Sequence, residues 1–225
     1  PKDVEFFARA QNLKLSHAKL TAFGSTRRAG GEAASDANIQ ALLSAGTKVV
    51  TIVGKSSSQQ VTQVLETTLE ENLNMIADSI RYLKSKGLAV FFDAEHFFDG
   101  FKANADYSLR CLEEAAEAGA KCLVLCDTNG GTLPQEVVGA VEWAKKATSV
   151  PLGIHAHNDG ELAVANTLAA VMAGVTQVQG TINGYGERCG NANLCSIIPN
   201  LKLKLGIDCI AGERLAKLSE VSRYV

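Results

Sequence analysis

The fold can be inferred outward from one stretch of the chain, which runs Val150-Pro151-Leu152-Gly153-Ile154-His155-Ala156-His157-Asn158-Asp159-Gly160. Residues 150–154 form a short apolar run that predicts a buried strand, and Asp159-Gly160 predicts a turn into a helix over residues 162–173. Parallel α/β folds place their functional loops where a strand gives way to a helix. We therefore expect the polar residues of this stretch to lie at the carboxyl end of a strand in an α/β fold.

The same alternation of short apolar segments and longer amphipathic segments extends through the rest of the chain. Strands are predicted over residues 19–24, 48–54, 88–92, 121–126, 150–157 and 175–181. Helices are predicted over residues 4–12, 36–45, 59–86, 105–118, 135–148, 162–173, 192–205 and 213–225. This order is typical of βα units that build a parallel sheet.

Six βα units indicate a fold of the α/β class and account for most of a TIM (β/α)8 barrel, which needs two further strands to close. Two interpretations are open: a partial barrel domain over residues 1–225, or a complete open α/β sheet. A first helix that starts at the beginning of the chain favours the partial barrel.

A metal site is one interpretation of the two neighbouring histidines, which are half of the four in the chain. Side chains at i and i+2 of a strand leave the same face, so His155 and His157 can bind one ion. Asn191, in a Gly-Asn turn after the last strand, could add an amide oxygen, and this set suits Mn²⁺, Zn²⁺ or Mg²⁺. The alternatives are a hydrogen-bonded histidine pair and an asparagine that only shapes a turn.

Three more candidate site residues follow other predicted strands. Glu95 lies between Phe92 and Phe97, where it could transfer a proton, or it could be a solvated carboxylate or a partner for Arg188. Thr128 could donate its hydroxyl to a substrate carboxylate or help to cap the next helix. Of the adjacent Glu187 and Arg188, one could brace the loop while the other faces substrate.

Composition narrows the class of protein. The chain has 225 residues, is 46% hydrophobic and carries a formal net charge of −2 with scattered Lys and Arg, which argues against nucleic-acid and membrane binding. The sequence shows no span-length apolar run and no signal peptide, so a cytoplasmic protein is expected. Six cysteines without a C-x-x-C pair indicate buried free thiols.

Four motifs together resemble those of the α-isopropylmalate synthase, homocitrate synthase and citramalate synthase family. They are Asp93-Ala94-Glu95-His96-Phe97-Phe98-Asp99-Gly100, Leu125-Cys126-Asp127-Thr128-Asn129-Gly130-Gly131, Gly153 to Asp159, and Gln179-Gly180-Thr181-Ile182-Asn183-Gly184-Tyr185-Gly186-Glu187-Arg188-Cys189-Gly190-Asn191. They occur in the family's order and cover nearly the whole chain. The resemblance is nearest to the citramalate synthase branch.

This resemblance implies a metal-dependent, HMG-CoA lyase-like TIM barrel that condenses acetyl-CoA with an α-keto acid, pyruvate in the citramalate branch, in isoleucine and leucine biosynthesis. A divalent metal on His155 and His157, with Asn191 in its shell, would bind the keto acid, which Thr128 contacts. Glu95 matches an active-site carboxylate and is our hypothesis for the base. Family members are typically dimers, so a homodimer is expected.

The sequence also departs from the family pattern. It contains no Asp-x-x-x-Arg-Asp-type signature, which in the family supplies a further metal ligand and an arginine, and Gln60 stands where a family histidine is expected. Two alternatives therefore stay open beside the synthase: a metal-dependent carbon–carbon lyase of the same fold, and an inactive barrel fragment.

Overall fold

Six parallel strands form one sheet in which every strand lies next to its neighbours in the sequence. A computed structural model describes residues 2–225. The strands are β1 (Thr21–Ser25), β2 (Val49–Lys55), β3 (Ala89–Glu95), β4 (Cys122–Asp127), β5 (Leu152–Ala156) and β6 (Gln177–Gln179). This is the sequential order of a barrel wall and not the reversed order of a doubly wound sheet. The prediction of βα units in a parallel sheet is confirmed.

Helices connect the strands and cover the outer face of the sheet. They are α1 (Lys2–Ala10), α2 (Ala37–Ser44), α3 (Ser58–Gln63), α4 (Leu69–Ser85), α5 (Phe97–Ala103), α6 (Ala105–Ala118), α7 (Pro134–Ala147), α8 (Ala163–Met172), α9 (Leu194–Pro199), α10 (Gly212–Leu215) and α11 (Leu218–Tyr224). A 3₁₀ turn follows β6 at Ile182–Gly184, and a π-helical turn extends α9 over Asn200–Lys204. None of the helices within residues 2–225 is both long and apolar enough to cross a bilayer.

The sequence predicts one helix over residues 59–86, and this prediction is wrong. The structure has two helices there, α3 and α4. The break includes Glu66 in the left-handed region with φ of 52°, and the Thr68 hydroxyl caps α4 by accepting from Glu71 N at 3.1 Å. Thr68 and Glu71 have the Ser/Thr-x-x-Glu spacing of a helix start, so the sequence did contain this signal.

The interpretation of residues 93–100 as a loop is also wrong. Strand β3 continues to Glu95, His96 alone turns the chain with φ of 58°, and α5 then starts at Phe97. Alternation along β3 buries Phe92 and Ala94 against the helices, while Asp93 and Glu95 point to the opposite, inner face. The longer strand therefore fixes the direction of two carboxylates.

The inner face of the sheet curves around a cavity of about 840 Å³. All six strands line it through alternate side chains, including Thr21, Val49, Phe91, Cys126, His155 and Gln179. A single cavity bounded by every strand shows that the sheet curls as a barrel wall does. Within residues 2–225, β1 and β6 each keep one edge without a partner strand.

The main apolar core lies between the outer face of the sheet and the helices, and contains Ile52, Phe92, Leu112, Leu123 and Ile154. All six cysteines are free, but the expectation that they are buried holds for three, Cys111, Cys122 and Cys126. It is wrong for Cys189 and Cys209, which are exposed in polar C-terminal loops, and Cys195 is half-buried.

Candidate active site

Four of the six predicted site residues line the barrel cavity: Glu95, Thr128, His155 and His157. They come from β3, from the loop after β4, and from β5 and its end. The other two, Arg188 and Asn191, lie in the loop after β6, which contacts the end of β5 through a bridge between Asn191 and His157. Parallel strands end at one rim of the sheet, so these separate segments meet there.

The two histidines face each other through their Nε2 atoms, which are 3.2 Å apart. His155 Nδ1 lies 2.8 Å from Gln179 Oε1, and a glutamine oxygen only accepts, so Nδ1 carries the proton and Nε2 a lone pair. Burial lowers the pKa of His155, and burial together with His155 lowers that of His157. Both shifts favour the neutral form of the rings, which is the form that binds a metal.

Asn191 offers a buried oxygen beside this pair. Its amide nitrogen donates to the Tyr185 carbonyl at 3.2 Å, which leaves Oδ1 buried and without a partner among the described residues. A Cβ at Gly186 would overlap the Asn191 amide, so only glycine lets the loop approach this closely. A buried unpaired acceptor is costly unless something binds it.

This donor set fits a divalent cation, since it combines two neutral imidazoles with an otherwise orphaned amide oxygen. No group of three or more His, Cys, Asp and Glu side chains suited to a metal occurs within residues 2–225. Two imidazoles and Asn191 would thus be the ligands that this chain provides, and substrate or water oxygens would complete the shell.

Glu95 is paired with a lysine that sequence reasoning did not single out. Its Oε2 lies 2.6 Å from Nζ of Lys55, and the two residues are register partners at the ends of β3 and β2. Both side chains are mostly buried, with 27% and 17% of their surface exposed. The pair fixes the carboxylate in place at the mouth of the cavity.

Thr128 presents its hydroxyl in the cavity and does not cap a helix. Its Oγ1 accepts from His96 N at 2.8 Å, so the hydroxyl proton is free for a further acceptor. Helix α7 starts six residues farther on, at Pro134, where Glu136 accepts from Leu133 N at 3.0 Å. The preceding Asp127, also buried, accepts from Thr132 Oγ1 at 2.8 Å and anchors this loop.

Arg188 braces the loops, and its neighbour Glu187 lines the cavity. The guanidinium binds Asp159 through two bonds of 2.7 and 2.9 Å, and also donates to the Thr128 carbonyl at 2.8 Å. Arg188 lowers the pKa of Asp159 through this pairing. Nε and Nη2 are thereby hydrogen-bonded to the protein, and Nη1 lies 3.6 Å from Glu187 Oε2, so this geometry favours positioning of Thr128 over direct contact with substrate.

Two inward-facing polar residues were missed by sequence reasoning. Asp93 is 4% exposed, and Gln179 donates to its Oδ1 at 3.0 Å while accepting from His155. Burial raises the pKa of Asp93 to about 7, against the lowering effect of that hydrogen bond. If the predicted strand β3 is extended to Glu95, the alternate positions Phe91, Asp93 and Glu95 fall on one face, and this spacing would have identified Asp93.

The chain matches the HMGL-like protein family over residues 1–225. It is 56% identical to an (R)-citramalate synthase of Geobacter sulfurreducens over all of this chain and 43% of that protein. It is 37% identical to a 2-isopropylmalate synthase of Sulfolobus acidocaldarius over 84% of this chain and 48% of that protein. The chain thus spans less than half the length of these relatives.

Among solved structures, an HMG-CoA lyase of Bacillus subtilis is similar over 98% of this chain and 74% of that chain, with a TM-score of 0.79. The sequence identity is 17%, so this likeness concerns the fold alone. It supports the barrel interpretation over the open sheet.

Proposed function

The chain belongs to the HMGL-like family and is 51–56% identical to several (R)-citramalate synthases, and from this premise we propose that the protein condenses acetyl-CoA with a 2-oxo acid. The observation that carries the proposal is the pair of histidines that face each other through Nε2 inside the barrel cavity, beside Glu95, Thr128 and the unpaired oxygen of Asn191. The 56% identity to a citramalate synthase supports pyruvate as the acceptor and citramalate as the product, a step of branched-chain amino-acid biosynthesis.

His155, His157 and Asn191 would hold the metal, which is Mn²⁺, Mg²⁺ or Zn²⁺. A divalent cation bound there supplies a Lewis acid for the ketone of the 2-oxo acid and for the alkoxide formed from it. The residues of the chain contribute the remaining functions: they orient the acid and remove a proton.

Glu95 is the proposed base. Its carboxylate takes a proton from the methyl group of acetyl-CoA, and the resulting enolate carbon forms the new bond to the ketone carbon. Lys55 holds that carboxylate at 2.6 Å and prevents it from turning away from the cavity. Hydrolysis of the thioester then releases coenzyme A, with water supplying the oxygen of the new carboxylate.

Thr128 is the proposed contact for the carboxylate of the 2-oxo acid. Its hydroxyl proton is free because the oxygen accepts from His96, and the Arg188 bond to its carbonyl fixes the loop. Arg188 would therefore bind substrate indirectly, by positioning Thr128. A homodimer remains the expected assembly.

The function is tested by thiol release from acetyl-CoA with pyruvate, 2-oxoisovalerate or 2-oxoglutarate, in the presence of Mn²⁺ or Mg²⁺. Residues 1–225 and the natural gene product that contains them are both measured. We expect metal-dependent turnover with pyruvate by the natural gene product. No turnover with any acid, together with cleavage of a hydroxyacyl-CoA, would instead establish the lyase.

The variant Glu95→Gln assigns the base within the same assay. It keeps the size and a hydrogen bond to Lys55 but cannot take a proton, so kcat should fall roughly 10²–10⁴-fold. Metal affinity should stay unchanged, because Glu95 is not one of the proposed ligands. Glu117→Gln, an exposed residue of α6, is the control and should retain full activity. Wild-type turnover by Glu95→Gln would remove Glu95 from the mechanism.

A further inference from the structure

Three side chains from three strands form a continuous hydrogen-bonded line across the inside of the barrel. His155 of β5 contacts Gln179 of β6 at 2.8 Å, and Gln179 contacts Asp93 of β3 at 3.0 Å. The first contact joins register partners on adjacent strands. The second joins residues 86 positions apart on strands that are separated by β4 and β5, so it spans the cavity.

We propose that Asp93 and Gln179 form a positioning relay, which holds the His155 ring with its Nε2 lone pair directed at the metal position. The inference rests on the proposed metal-binding function of His155 and His157. It assigns a role to two cavity-lining residues that are not among the proposed metal ligands.

The direction of the hydrogen bonds sets the tautomer of His155. A carboxyl oxygen of Asp93 accepts, so the Gln179 amide turns its NH₂ group toward Asp93 and its oxygen toward His155. The Gln179 oxygen can only accept, and His155 must then donate from Nδ1. Outer-shell partners that fix a ligating imidazole in this way also keep its ring from rotating.

The surroundings of Asp93 are difficult to explain by packing alone. Asp93 is 4% exposed, its register partner on β4 is Val124 of the buried cluster Cys122, Val124 and Cys126, and it has no ion-pair partner within residues 2–225. Burying a carboxyl group there costs stability, and an apolar residue of similar size would avoid that cost. The relay gives this buried carboxyl group a function, because the Asp93 oxygen orients the Gln179 amide.

Gln177 provides a matched control on the same strand. It lies two residues before Gln179 and lines the same cavity, but its Oε1 is buried without a hydrogen-bond partner among the described residues. A change from Gln to Met removes the same amide at both positions, yet only Gln179→Met removes a contact to a histidine.

The test measures Mn²⁺ affinity by calorimetry and the His155 tautomer by ¹⁵N NMR of the metal-free natural gene product. Gln179→Met should weaken Mn²⁺ binding about 10–100-fold and populate the other tautomer. Asp93→Asn should weaken binding less, because the introduced amide can still accept from Gln179 in one of its two orientations. Gln177→Met should match wild type in both measurements.

The double variant Asp93→Asn with Gln179→Glu is the rescue experiment. The introduced glutamate accepts from His155 Nδ1, and the introduced asparagine donates to that glutamate. Both hydrogen bonds are thereby restored, although the carboxylate and the amide have exchanged places. The double variant should recover the Nδ1–H tautomer and most of the affinity. Wild-type affinity and tautomer in Gln179→Met would overturn the relay alone. No metal binding by the wild-type protein would overturn the proposed function, and the metal-free spectra distinguish the two failures.

Discussion

At the residue scale, the most informative side chain is Asp93, whose direction can be read from the sequence although its partner cannot. Its inward direction follows from the period of two in β3, which the sequence does encode. Its contact with Gln179 does not follow from any local pattern, because the two residues are 86 positions apart. By contrast, His155 and His157 were predicted as a pair because strand alternation alone brings i and i+2 together.

Burial of Asp93 predicts a pH-dependent stability. Its pKa is raised from 3.8 to about 7 in the folded chain. Between these pH values the folded state binds more protons than the unfolded state, so the free energy of unfolding falls as the pH rises, and it levels off above 7. Asp93→Asn removes the ionisable group and with it this fall in the free energy of unfolding. Above pH 8 the metal-free variant should therefore be more stable than wild type by at most about 4 kcal/mol.

Urea unfolding at pH 5, 6.5 and 8 measures this difference, which should grow with pH. Asp106→Asn, which removes an exposed carboxylate from α6, controls for the change in net charge. A constant difference between Asp93→Asn and wild type over this range would contradict a buried, pKa-shifted Asp93.

At the element scale, the strands and helices α2, α6, α7 and α8 were predicted well, whereas α5 and the break between α3 and α4 were not. Helix α6 follows from its apolar period and from Gly119, which ends it with φ of 100°. The interpretation of residues 93–100 as a loop misses helix α5, whose seven residues include Gly100, a poor helix former. The structure shows why a glycine is there: α5 packs directly on the backbone that follows β2.

Gly100 and Gly139 allow this packing to be tested as a matched pair of helical glycines. A Cβ at Gly100 would lie 2.8 Å from Ser56 O and Ser57 Cα, whereas a Cβ at Gly139 in α7 meets no atom within 4 Å. Gly100→Ala should therefore destabilise the chain by roughly 1–3 kcal/mol. Gly139→Ala should stabilise it by about 0.5–1 kcal/mol.

The midpoints of denaturant unfolding, compared at an unchanged m-value, give the change in the free energy of unfolding for each variant. Gly100→Ala should also lower activity, since Ser56 follows Lys55, the partner of Glu95, and accepts from Ser108 at 2.7 Å. If the two alanine variants were equally stable, α5 would not be held against the β2 loop as the structure shows.

At the scale of the whole molecule, the alternation of strands and helices predicted the strand order, and the family resemblance predicted that the sheet is part of a barrel. Alternating strands and helices favour sequential parallel neighbours, which is what the sheet shows. Whether such a sheet curls into a barrel wall depends on contacts across its inner face, such as Asp93 with Gln179, which no local pattern specifies. The outer core consists of apolar side chains. The polar contacts that distinguish this barrel lie on the inner face of the sheet and at the carboxyl ends of its strands.

The rim also joins distant parts of the molecule, and this predicts a stabilising effect of the metal. The proposed ligands lie on β5 and in the loop after β6, so a bound cation ties that loop to the sheet. Metal at 100 times its dissociation constant stabilises the folded state by about 2.7 kcal/mol. For a chain of this size, Tm should rise by roughly 5–10 °C on addition of Mn²⁺ and return when a chelator removes it.

Two histidine variants show whether that rise comes from the proposed site. His155→Ala removes a ligand and should abolish the Mn²⁺-dependent shift, while His17→Ala, an exposed residue before β1, should keep it in full. Scanning calorimetry at several Mn²⁺ concentrations measures each shift and shows whether it depends on concentration as binding to the folded state requires. An equal shift in His155→Ala would place the cation elsewhere on the molecule, because a site that loses one of three protein ligands cannot retain its affinity.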